Sequence, residues 1–105
     1  MEKTVMLTAE IILQKIELNM GKIKEYGVKN LGIFGSYVRN EQKNNSDIDI
    51  LVEFETGKKN FDNYMDLKFF LEELFTCKID LVIKEAIKPA LKEYILGSVK
   101  FATAT

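Results

Sequence analysis

The sequence predicts a small α/β (α+β) domain, a mixed sheet flanked by helices, and three observations carry that expectation. Segments of helical period alternate with short β-like runs, the run from Asp47 to Phe54 alternates with period two over most of its length, and glycines and polar clusters punctuate the boundaries. At 105 residues the chain can bury one hydrophobic core but not two, so it reads as one domain spanning 1–105. No repeat or low-complexity stretch interrupts it, and its single proline leaves no candidate linker.

The elements follow in order. From Thr8 to Tyr26, apolar Ile12, Ile16, Met20 and Ile23 form a helical stripe, weakened at Gly21 and closed by Gly27. Leu31 to Phe34 is a short apolar run ending in Gly35-Ser36, and Tyr37 to Asn40 can make one helical turn: strand, tight turn, short helix. A loop at Asn44-Asn45-Ser46 leads into the strand Asp47 to Phe54. After a second loop at Gly57 to Asn60, the residues Phe61, Leu67, Phe70, Leu71 and Leu74 recur at helical spacing up to about Thr76 and read as core. Lys78 to Lys84 reads as a third strand. Pro89 suits a first helical position and Gly97 a stop, which gives a closing helix over Ala90 to Leu96 and a frayed end from Ala102 to Thr105.

Composition narrows the chemistry. Fifteen basic against sixteen acidic side chains leave a net charge of −1, without the basic excess of a protein that lives on DNA or RNA phosphates. The sequence has no histidine, which removes the commonest general base, the commonest zinc ligand and every Ser-His or Cys-His pairing. One cysteine, Cys77, cannot form an intrachain disulfide and reads as a reduced, buried thiol. The N-terminal residues lack the apolar core of a signal peptide and no apolar run approaches the about 20 residues of a membrane span, so a cytoplasmic address is expected.

The remaining chemistry rests on carboxylates. In an extended strand residues two apart share a face, so Asp47 and Asp49 project together while Ile48, Ile50, Val52 and Phe54 enter the core. Neighbouring carboxylates repel unless water, a cation or a basic group offsets them, and paired hard oxygens suit magnesium. Asp80 stands at the entrance of the third strand, and the intervening helix makes a connection that joins parallel neighbours, which would set Asp80 beside the other two. Gly35 and Ser36 lie at the exit of the first strand and must reach the same end, so that strand is expected antiparallel to the second. There the N–H groups of the turn favour phosphate oxygens, Gly35 permits close approach and the Ser36 hydroxyl adds a hydrogen bond. Arg39, one turn on, can pair with a triphosphate or with an aspartate; it, Lys43 and Tyr37 equally suit an ion pair, a solvated loop charge and a core aromatic.

Through Gly35-Ser36, ten intervening residues and Asp47-Ile48-Asp49, the sequence resembles the minimal nucleotidyltransferases of the DNA polymerase beta superfamily. The N-terminal helix, Ile79-Asp80-Leu81-Val82 and Lys88-Pro89-Ala90-Leu91 extend the resemblance over nearly the whole chain. It implies a polymerase-beta-like nucleotidyltransferase fold, with two Mg2+ ions held by Asp47, Asp49 and Asp80, and with Asp80 also helping to deprotonate the acceptor. It further implies an antitoxin that moves AMP from ATP to a tyrosine of a partner HEPN-type toxin in a hetero-oligomer. Two other readings remain: a non-catalytic module that blocks a toxin by binding it, and transfer to a small molecule or an RNA end.

Overall fold

The computed structural model describes residues 7–43 and 47–103. The loop expected at Asn44-Asn45-Ser46, the N-terminal residues Met1 to Met6 and the terminal Ala104-Thr105 lie outside the described residues. The chain folds as α1 (Ala9–Leu18), α2 (Met20–Lys24), β1 (Val28–Phe34), a 3-10 turn (Gly35–Tyr37), β2 (Ile48–Phe54), α3 (Phe61–Phe75), β3 (Ile79–Ile83), a second 3-10 turn (Lys84–Ala86), α4 (Pro89–Ser98) and β4 (Lys100–Phe101).

The helical stripe near the start is real but broken. Thr8 caps α1 by accepting a hydrogen bond from the Ile11 N–H at 3.2 Å, and Ile12, Ile16, Met20 and Ile23 are all buried. The interruption falls at Asn19 and not at the expected Gly21. The Asn19 side chain donates to the Lys15 carbonyl at 2.8 Å, giving the backbone an alternative to the helical ladder and splitting one expected helix into two. Gly27 then takes φ +81, the left-handed closing conformation expected of it.

The sheet has the order β3-β2-β1-β4. As expected, β1 runs antiparallel to β2 and β2 parallel to β3. Alternation in β2 settles its faces: Ile48, Ile50, Val52 and Phe54 are buried in one cluster with Ile12, Ile16, Leu67 and Leu71 of the helices. Each such burial contributes about 1.5–3 kcal/mol. Leu51 is buried as well although it lies outside that cluster, so β2, the strand that carries the acidic residues, is held from both faces.

Four expectations are corrected. Phe61 is not core: it is 75% exposed at the first turn of α3, while Leu67, Leu71 and the unanticipated Phe75 are buried. Cys77 is a free thiol, yet half-buried. The closing helix continues through Gly97 to Ser98 and is followed by β4, which pairs antiparallel with β1 through Gly32 and Ile33. The segment expected to fray is tied down at 102–103, where the Ala102 N–H donates to the Leu31 carbonyl at 2.8 Å and the Thr103 N–H to Glu17 Oε2 at 2.9 Å. Among the described residues no helix is long and apolar enough to cross a membrane.

Candidate active site

The strand directions deliver three chain segments to one end of the sheet. β1 leaves it at Phe34, which stands opposite Asp49 in the antiparallel register. β2 and β3 enter it side by side, and the parallel register puts Asp49 directly across from Asp80. Asp47, exposed, sits one residue before β2.

Gly35 is the tightest contact in the arrangement. Its φ of +79 lies in the left-handed region, and a Cβ at this position would collide with Oδ2 and Cγ of Asp49. Only a glycine lets the backbone turn here with the carboxylate against it. The turn beyond it is compact: the Gly35 carbonyl accepts from the Val38 N–H at 3.1 Å and the Arg39 N–H at 3.2 Å, and the Ser36 carbonyl from the Glu41 N–H at 2.8 Å. The expected helical turn is therefore a 3-10 turn, and Ser36 is half-buried within it.

Asp49 is the electrostatic centre. Partial burial, the charge of Asp80, a hydrogen bond shared with Asp80 and the charge of Asp47 push its carboxyl from 3.8 up to about 6, with Arg39 pulling the other way. Two carboxylates side by side, with the Asp47 charge added and only Arg39 opposing them, form a site with an excess of negative charge. That chemistry fits a hard divalent cation, for which Asp49, Asp80 and Asp47 are the available oxygen donors. Among the described residues, however, no three acidic, cysteine or histidine side chains are already gathered as a metal cage; Asp49 and Asp80 are paired across the strands, and the Asp47 charge acts on Asp49.

Arg39 lies on the same side, near enough to act on the Asp49 charge. Its Nε donates to Glu41 Oε1 at 2.8 Å and a terminal nitrogen donates to the Tyr94 hydroxyl at 3.2 Å. Glu41 and Tyr94 were not singled out in the sequence. Glu41 offers a weak signal two positions from Arg39, whereas Tyr94 comes from α4, 55 positions away. Tyr37 is a buried aromatic whose hydroxyl is raised by burial and by the charges of Cys77 and Asp47.

A groove lies elsewhere. A hollow of about 620 Å³ lies between the start of α3 and the second half of β3, lined among others by Asn60, Phe61, Tyr64, Leu81 and Ile83, and contains none of the six residues predicted for the site.

Residues 13–102 match the family of the nucleotidyltransferase domain. The protein adenylyltransferase MntA of Thermococcus cleftensis is 37% identical over 97 residues, 91% of this chain and 97% of that protein. Among solved structures, one described as a minimal nucleotidyltransferase superposes with a TM-score of 0.78 at 28% identity, covering 92% of this chain and 98% of the other. A crystal structure of a toxin-antitoxin with AMP-PNP matches with a TM-score of 0.64 at 26% identity, over 85% of this chain and 73% of that one.

Proposed function

Because the chain belongs to the nucleotidyltransferase domain family and is a nucleotidyltransferase, we propose that it transfers AMP from ATP, with Mg2+, to a hydroxyl, specifically a tyrosine, of a partner HEPN-type toxin, and so acts as the antitoxin. The observation that carries this reading is the Asp49 carboxylate, wedged against Gly35 on one side and paired across the sheet with Asp80 on the other. A polyphosphate-gripping turn and an acidic pair thereby meet at one carboxylate.

The residues divide the work by position. Asp47 and Asp49 hold the cations, of which two are expected, and Asp80 shares the catalytic one. Bound there, magnesium supplies Lewis-acid stabilisation of charge on the α-phosphate and on the departing pyrophosphate. Gly35 lets the triphosphate approach the backbone, Ser36 contributes its hydroxyl and Arg39 its guanidinium to the phosphate oxygens. Asp80, exposed at the edge of the pair, takes the proton from the acceptor hydroxyl as its oxygen attacks the α-phosphate. In this reading the partner protein brings the acceptor hydroxyl. The adenylyltransferase relative and the toxin-antitoxin neighbour with AMP-PNP support a protein acceptor and an adenosine triphosphate donor.

The test is direct. The purified chain, ATP, magnesium chloride and the protein encoded beside it are incubated and the partner is weighed by mass spectrometry. An adduct of one or more AMP units on a tyrosine, absent with Asp47→Asn, is the expected result. Unmodified partner together with undiminished inhibition by Asp47→Asn would instead establish neutralisation by binding.

A further inference from the structure

Arginine on an exposed turn samples many rotamers, and a ligand that uses it must first bring it to order. Arg39, with its side chain 42% exposed, is ordered already: Nε donates to Glu41 at 2.8 Å and a terminal nitrogen to the Tyr94 hydroxyl at 3.2 Å. A guanidinium carries five N–H donors, so most remain for a ligand.

The Tyr94 end of this clasp has no evident packing purpose. The residue is 63% exposed, and α4, which carries it, has no buried residue at all. Its hydroxyl instead reaches across 55 positions of sequence to the turn that follows Gly35 and Ser36. Being neutral, that hydroxyl accepts a hydrogen bond and fixes the guanidinium without cancelling its charge, whereas Glu41 orients the group at the expense of part of it.

We propose that Tyr94 is a positioning residue for nucleotide binding, holding the Arg39 guanidinium in place beside Asp49 so that it meets the polyphosphate without first having to be ordered. The proposal rests on the assignment of Arg39 to the phosphates made above and adds a residue that no sequence motif marks.

Calorimetric titration with the ATP analogue AMP-PNP in magnesium chloride tests it, using the wild-type chain, Tyr94→Phe, Arg39→Met and the double variant. Loss of one exposed hydrogen bond to a charged group predicts roughly three- to tenfold weaker binding by Tyr94→Phe. Its melting temperature without nucleotide should be unchanged. In the Arg39→Met background the same substitution should cost nothing further, because the two act as one unit. Wild-type affinity in Tyr94→Phe, or an equal loss in both backgrounds, overturns the positioning role while leaving the nucleotide assignment intact. Arg39→Met binding as tightly as wild type would remove Arg39 from the phosphates and overturn both.

Discussion

Asp49→Asn should destroy transfer and yet make the metal-free protein more stable. In the folded chain Asp49 keeps its proton up to about pH 6, because of burial and of Asp80 beside it, whereas its ordinary value is 3.8. The folded state therefore binds the proton more tightly than the unfolded state, and stability falls as pH rises between those values. There is no penalty below about pH 4 and a full one above about pH 6. A shift from 3.8 to about 6 corresponds to about 3 kcal/mol at about 1.4 kcal/mol per pH unit. Since the side chain is only half-buried, solvent screening reduces this to about 1–1.5 kcal/mol. For a domain of this size that is a rise in Tm of roughly 4–10 °C for Asp49→Asn at pH 7.5. Thermal melts in EDTA from pH 4 to pH 8 measure it: the two proteins should coincide at the acid end, diverge as pH rises from about 4 to about 6, and keep a constant difference above that. Melting of Asp49→Asn at or below the wild-type temperature at pH 7.5 would refute the reasoning. So would a difference that does not depend on pH.

Three further outcomes follow from the same geometry. Gly35→Ala should lose about 1–2 kcal/mol from its left-handed φ of +79. It should also cut transfer by about a hundredfold or more by displacing Asp49; unfolding curves and a radiolabelled-ATP assay check the two effects. Asp80→Asn should bind AMP-PNP while transferring AMP at least about a hundredfold more slowly, as expected for loss of a general base, and calorimetry beside single-turnover kinetics separates the steps. Tyr64→Phe removes a 2.6 Å hydrogen bond to the Leu81 carbonyl on the outer edge of β3 and should cost about 1 kcal/mol in urea unfolding without changing transfer.

The site was more legible than its surroundings, for reasons that differ residue by residue. Asp49 and Asp80 could be found because a strand has a strict two-residue period and a helical connection between strands favours parallel neighbours; the register Asp49↔Asp80 is that inference realised. Gly35 was readable as a turn, but its contact with Asp49 depends on the Phe34↔Asp49 pairing, which no local pattern specifies. Phe61 misled because helical spacing reports a shared face and not whether a helix end reaches the core. The β4 strand has two residues, too few for any period to show. Gly97 did not stop α4, since a glycine ends a helix only where the chain is required to turn left-handed, and its φ is not positive here. The Arg39–Tyr94 contact is tertiary in origin and left no trace in sequence.

The mixed direction of the sheet is what makes the chemistry possible in so small a chain. Were β1 parallel to β2, the Gly35 turn would emerge at the opposite end, about 20 Å away for strands of seven residues, and no loop in this chain would return it to the carboxylates. Antiparallel β1 and parallel β3 instead bring one exit and two entrances together at β2. That central strand is also the one best able to carry the strain, because Ile48, Ile50, Leu51 and Val52 are buried almost completely around Asp49. The cost of burying Asp49 beside Asp80, about 1–1.5 kcal/mol after screening, is offset by apolar burial several times larger within four neighbouring residues.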